Sequence, residues 1–122
     1  MPSRNKASHS AGKIGEEQAA CALTGAGMKI IAKNFRSKNG EIDIIAVDGG
    51  TIVFVEVKAW ASYEFENLRY SIDIKKQNKI IKTAKYFLLE NRKYSNMSIR
   101  FDVVFVQNNQ VTHLASAFTE SV

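Results

Sequence analysis

Cysteine is nearly absent from this chain. Cys21 stands alone, so no internal disulfide framework can form, and it reads as helix core packing. Histidine is almost as scarce. His9 and His113 lie far apart and no Cys/His spacing points to zinc. No apolar run approaches the ~18 residues of a membrane helix, so no membrane partner is expected. The N-terminus is basic and polar, with no apolar stretch behind it. That reads against a secretory signal and leaves the cytoplasm as the expected location. There is no internal repeat, no linker and no low-complexity block beyond a polar N-terminal segment.

What is present fits one soluble domain. The 122 residues are 45% hydrophobic and 24% charged, ordinary values for a folded chain able to bury a real core. The net charge of +5 and pI of about 9.4 favour a polyanionic partner, because lysines and arginines that neutralise phosphates release condensed counterions.

Residues 1–11 read as a flexible polar tail, 12–118 as one domain and 119–122 as a C-terminal tail. A helix is predicted from about Lys13 to Ala26, capped by Gly27. Met28 to Ala32 reads as a first strand, with Met28 in the core and Phe35-Arg36 leading to a turn at Asn39-Gly40. Glu41–Val47 and Thr51–Lys58 are rich in β-branched residues and flank Asp48-Gly49-Gly50, the signature of a hairpin. Residues 59 to about 72 have no clean period. Asp73 is a natural N-cap for a long lysine-rich helix to about Asn91. Ile99–Val106 and Val111–Leu114 are predicted strands joined by a turn at Asn108-Asn109. The order predicts an α/β domain, a mixed sheet covered by helices.

The hairpin carries the chemistry. If Gly49-Gly50 form a tight turn, Asp43 lands opposite Glu56, with Cβ atoms roughly 4.5–5.5 Å apart. Lys58 then shares that face with Glu41, Asp43, Glu56 and the apolar Ile45, Val47, Ile52 and Phe54. The other face is wholly apolar: Ile42, Ile44, Ala46, Val53, Val55 and Val57. Such a sheet is buried on both sides. Opposed carboxylates in it repel and lose hydration, and a divalent cation removes both problems. Their oxygens are hard ligands suited to magnesium or manganese. Lys58 can hold an attacking water or stabilise charge growing on a phosphate. Spacing alone admits a second arrangement, in which Asp43 pairs with Lys58 and Glu56 sits at a solvated edge.

Other residues carry less on their own. Glu16 lies among small residues of the first helix, with Glu17 the better surface residue. Gln77 lies on the stripe of Ile81, Ala84 and Leu88, as a core amide or a substrate-facing donor. Lys75, Lys79, Lys82 and Lys85 form a charged face that is solvated or meets phosphates. Trp60 and Tyr63 either stack on a base or anchor the loop. Asp102, between Phe101 and Val103, reads as structural.

Gly40-Glu41-Ile42-Asp43-Ile44-Ile45 and Phe54-Val55-Glu56-Val57-Lys58 together resemble the PD-(D/E)xK nuclease superfamily, with its restriction-endonuclease-like fold. More narrowly, the chain resembles the bacterial YraN family, distantly similar to archaeal Holliday-junction resolvases. The likeness extends to Gly15-Glu16, Ala32-Lys33-Asn34-Phe35-Arg36, Lys76-Gln77, Arg100-Phe101-Asp102-Val103-Val104 and Thr112-His113, over about residues 12–118. It implies Asp43 and Glu56 as metal ligands with the Val57 carbonyl nearby, Lys58 as catalytic lysine, Glu16 reaching the metal directly or through water, and Gln77 lining the site. Ile42 replaces the superfamily's proline. After Lys58 the pattern departs: Trp60 stands where a basic residue is common, and Glu66 and Leu68 where Gly and Pro are common.

These readings converge on a Mg2+- or Mn2+-dependent DNA endonuclease, with branched DNA of recombination or repair as substrate by analogy with the resolvases. Arg36, Lys38, Trp60, Lys76 and Lys79 are the expected nucleic-acid contacts. A symmetric junction needs two active sites, so a homodimer is part of the expectation. The alternatives are a DNA-binding module or assembly partner that keeps the fold without useful activity, and a nuclease acting on RNA.

Overall fold

The computed structural model describes residues 12–59 and 72–120. The predicted tail at 1–11, the loop positions Trp60, Tyr63, Glu66 and Leu68, and residues 121–122 lie outside them. Two helices and five strands follow in the predicted order. They are α1 (Gly12–Gly25), β1 (Lys29–Ser37), β2 (Gly40–Asp48), β3 (Thr51–Ala59), α2 (Ile74–Glu90), β4 (Ser98–Gln107) and β5 (Gln110–Phe118). A 3-10 turn at Arg92–Tyr94, not anticipated from the sequence, links α2 to β4.

Helix α1 buries Gly15, Ala19, Ala20 and Leu23 on one face. Small residues there let the helix approach the sheet closely. It ends in paired closing bonds, Met28 N–H to the Leu23 carbonyl and Gly27 N–H to the Thr24 carbonyl, both 3.0 Å. Gly27 turns the chain with φ +96°, which a side chain would resist. Cys21 is exposed, against the expectation of core packing. It sits about 100° around the helix from Ala20, off the buried face.

The β2–β3 hairpin keeps the predicted register from Asp48 opposite Thr51 to Ile44 opposite Val55, with Gly49 at φ +60° in the turn. Both faces are covered, as the apolar strands predict. Ile44, Val53, Val55, Val57 and Val104 pack under α1 with Ala19 and Leu23. Ile45, Ile52, Phe54 and Phe101 pack under α2 with Ile80, Ile81 and Phe87. One residue breaks the predicted alternation. Ile42 joins the α2 layer beside Ile45, not the α1 layer beside Ile44. The face therefore slips at Asp43. On the neighbouring strand, Lys33 faces Ile44 and Phe35 faces Ile42, so Asn34 lies across from Asp43, and Asn34 has φ +54°. Asparagine tolerates that left-handed conformation better than most residues.

Strand β1 runs well past Ala32, where the sequence reading ended it, and carries an irregularity between Ile30 and Ala32. Among the described residues its outer edge has no strand partner, so Lys33 and Asn34 are tolerated there. Asp73 caps α2 as predicted, its carboxylate accepting the Lys76 N–H at 2.8 Å. At the other end the Asn91 amide donates to the Phe87 carbonyl at 2.9 Å.

The sheet order is β1-β2-β3-β4-β5. Strands β3 and β4 are parallel, with α2 between them in the chain, and all other neighbours are antiparallel. Strand β5 extends to Phe118, beyond the predicted Leu114, through an irregularity opposite Phe101–Val103. The result is a mixed five-stranded sheet with one helix on each face, an α/β architecture compatible with the restriction-endonuclease-like fold. Among the described residues, no helix is long and apolar enough to cross a membrane.

Candidate active site

At the end of the β2–β3 hairpin away from its turn, a cavity of about 510 Å³ opens between the two helices' N-terminal ends. Glu16 reaches its wall from α1, Asn34 and Arg36 from β1, Glu41 and Asp43 from β2, Glu56 and Val57 from β3, and Lys76 from α2. Five elements that are distant in sequence thus contribute one wall residue or more each.

The hairpin explains why the acids meet here. Its regular pairing ends at Ile44 and Val55. One step further on, the Asp43 carboxylate accepts the Val57 backbone N–H at 2.7 Å. A side chain has taken the donor that the next rung of the ladder would use, and this pins Asp43 against β3. Glu56 is only 8% exposed and its ion-pair partner is Lys76, with Nζ 3.5 Å from Oε2. The arrangement in which Glu56 sits at a solvated edge is therefore not the one adopted.

Electrostatics marks the pair as strained. Asp43 is pushed up from 3.8 to about 8 by burial, then by the adjacent Glu56 and, less strongly, by Glu16 and Glu41; the Val57 bond opposes the shift. Glu56 is also raised by burial, with Lys76 and then Lys58 pulling the other way. Desolvation and like charge disfavour the ionised form, and both are relieved by a cation. Around this pair, the Asn34 amide nitrogen, turned toward the carboxylates, donates to Glu41 Oε2 at 3.1 Å and Glu16 Oε1 at 3.3 Å. Arg36 pairs with Glu41 at 3.6 Å on the rim.

The donor set suits a hard divalent ion. Among the described residues, no three His, Cys, Asp or Glu side chains form a ready-made ion cage. Magnesium rarely asks for one. It is held by one or two carboxylates and keeps waters and substrate phosphates as its remaining ligands. Asp43 and Glu56 could supply that pair, and Val57 and Glu16 line the same cavity.

The other expected site residues are placed less centrally. Lys58 is half-buried and acts on Glu56 through its charge, but it is not on the cavity wall. Gln77 is not on the wall either. Its amide donates to the Ile72 carbonyl at 3.0 Å, bracing the start of α2. Lys38 lies beside Tyr86 in a separate concavity, and Lys79 packs across Gly40. Trp60 falls outside the described residues. Two participants were not singled out from sequence, Asn34 and the Lys76 bond to Glu56, and Glu41 was placed on the acid face without a role. A polar asparagine inside a strand, opposite the key aspartate, was the available signal for the first.

Asp102 is fully buried, as a structural carboxylate, but far from unpartnered. It accepts from Arg100 Nε at 2.9 Å and Nη2 at 3.0 Å and from the Ser116 N–H at 3.0 Å, and lies in hydrogen-bond contact with His113 Nε2 at 2.7 Å. Burial alone would raise its pKa; the bonds from His113, Arg100 and Ser116 hold it below 3.8 instead.

A mixed α/β domain with a buried acid pair beside lysines has the layout of restriction-endonuclease-like proteins. Residues 15–106 match the model of a family described as "Uncharacterised protein family UPF0102", and the chain belongs to that family, which is the YraN family its motifs resemble. A UPF0102 protein of Persephonella marina is 47% identical over 107 residues, covering 88% of this chain and 91% of its own. One of Treponema denticola is 45% identical over 123 residues, covering 89% and 95%. One of Treponema pallidum is 40% identical over 129 residues and spans both chains fully. Glu16, Asp43, Glu56, Lys58 and Lys76 all fall within the matched span.

Proposed function

We propose that this protein is a divalent-metal-dependent endonuclease of DNA phosphodiesters that works in the cytoplasm on branched DNA. The observation that carries the reading is half-buried Asp43 beside buried Glu56 on the wall of an open cavity, with Asp43 raised to about 8 by desolvation and by its neighbour. A fold does not maintain such a conflict for stability's sake; perturbed carboxylates in a cleft point to function.

When bound, Mg2+ or Mn2+ supplies a water of lowered pKa and a positive field for the phosphate. Asp43 and Glu56 hold the ion, with the Val57 carbonyl and Glu16 completing or tuning the shell. Lys58 orients the attacking water or stabilises the charge that grows on the phosphate. The net charge of +5 draws the nucleic acid in. Arg36, Lys38, Lys76 and Lys79 contact its backbone. On a symmetric junction two copies act together.

The test is cleavage of labelled four-way-junction, flap, duplex and single-stranded DNA, with a matched RNA, in Mg2+ or Mn2+. Glu56→Ala and Lys58→Ala should each reduce cutting on the order of a hundredfold or more. Salt-sensitive binding with no cutting at any metal would make the protein a binding module instead.

A further inference from the structure

The cleavage reading gives Lys76 a contact to the nucleic-acid backbone but does not explain its bond to Glu56. It comes from α2, not from the hairpin, yet its Nζ lies 3.5 Å from Glu56 Oε2 on the wall of the acid cavity. Lys58, the hairpin lysine, is not on that wall, and its pull on Glu56 is weaker than that of Lys76. The backbone that carries Lys76 is also fastened. Asp73 takes its N–H at 2.8 Å, and Gln77, the next residue, is tied to the Ile72 carbonyl at 3.0 Å. Its side chain is half exposed (49%), against 9% for Glu56, so the ammonium can swing away while the carboxylate cannot.

We infer that Lys76 is a second active-site cation with two positions: on Glu56 when no divalent ion is bound, and on the scissile phosphate when one is. This rests on reading the cavity as a metal-phosphodiester site. The ammonium offsets the Glu56 charge in the buried pair, so the metal-free protein carries one fewer unpaired carboxylate. With a divalent ion held by Asp43 and Glu56, the Lys76 ammonium would face a like charge and would leave Glu56. The released lysine has an anion within reach, because the phosphate must approach the same carboxylates through the same opening. No bond is made or broken by Lys76; it moves from one anion to another. None of the other lysines of α2 lines that cavity, and Lys85 pairs with Glu120.

The proposal makes opposite demands on metal binding and on cutting. Lys76→Met should bind Mn2+ about two- to fivefold more tightly than wild type in the absence of DNA, the effect of removing one partly exposed ion-pair partner. The same variant should cut more slowly, on the order of a hundredfold, at saturating metal. Lys76→Arg should keep the wild-type Mn2+ affinity and recover part of the rate. Mn2+ titration by calorimetry on the full chain gives the first readout, and single-turnover cleavage the second. Equal Mn2+ affinity in wild type and Lys76→Met, with Asp43→Asn abolishing binding in both, would overturn the two-position lysine and leave the metal site standing. No Mn2+ binding by any of the proteins would overturn the metal site and the proposal together. Tighter Mn2+ binding with an unchanged cleavage rate would overturn the phosphate position.

Discussion

Asp43→Asn should make the metal-free protein more stable at pH 8 and leave it nearly unchanged at pH 4. The folded-state carboxyl titrates at about 8 against 3.8 for a free side chain. Between those two values the native state holds a proton that the unfolded chain has lost, so wild-type stability falls as pH rises through that window. A gap of that size corresponds to at most about 5–6 kcal/mol. Asp43 lies on an open cavity wall where water screens it, so the realised penalty is nearer ~2 kcal/mol. Asparagine keeps an oxygen for the Val57 N–H and discards the charge. Thermal melts in a chelating buffer should therefore show Asp43→Asn higher by roughly 6–10 °C at pH 8, with the difference shrinking toward zero near pH 4. Mn2+ should raise the wild-type melting temperature and not that of the variant. A variant equally or less stable at pH 8, or a gain that is the same at both pH values, would refute the idea that the acid pair is held in conflict.

The buried polar network behaves in the opposite sense. Asp102→Ala leaves Arg100 only its 3.4 Å contact with Asp48, takes away the His113 partner, and should destabilise by about 3 kcal/mol, read from the urea midpoint. Because the folded pKa of Asp102 lies below 3.8, its contribution is present above that value and lost as pH falls through the folded one, so the variant should lack part of the wild-type acid unfolding limb. In the apolar layer, Phe54 is fully buried and stacks against Phe101, with ring centroids 5.7 Å apart. Phe54→Ala should lower stability by about 3–5 kcal/mol with an unchanged urea slope.

The hairpin was the most legible part of the chain. Gly49-Gly50 favoured a tight turn, and that turn sets which residues face each other down to Ile44 and Val55. Asp73 and Gly27 announced helix ends because each does a backbone job that few residues can do. Strand lengths were harder. Lys33, Asn34 and Ser116 interrupt the apolar pattern on edge strands, where an unpaired side tolerates polar residues and left-handed turns. The slip at Asp43 was invisible for a related reason. Strict alternation assigns Ile42 and Ile44 to one face, and only the neighbouring strand's irregular Asn34 marks where that rule fails. The nearness of the two acids was legible, but the ladder ends at Ile44 and Val55, and a side-chain bond from Asp43 to the Val57 N–H stands where the predicted rung would be. The participation of Lys76 was not legible, because nothing local connects the first turn of a helix to a strand ending some twenty residues earlier.

The position of the acids along the hairpin also bears on the order in which the molecule assembles. A hairpin zips from its turn, here Gly49-Gly50, and the two acids lie at the far end, just beyond the last rung at Ile44 and Val55. Their conflict is therefore met late, after the β2–β3 contacts nearer the turn have formed. The parallel pairing of β3 with β4, which requires α2 to be threaded between them, is later still. A divalent ion bound at this end should slow unfolding far more than it speeds folding, since it acts on contacts that the transition state has yet to make. Metal would thus serve the protein as a latch, closing a structure that has already formed without it.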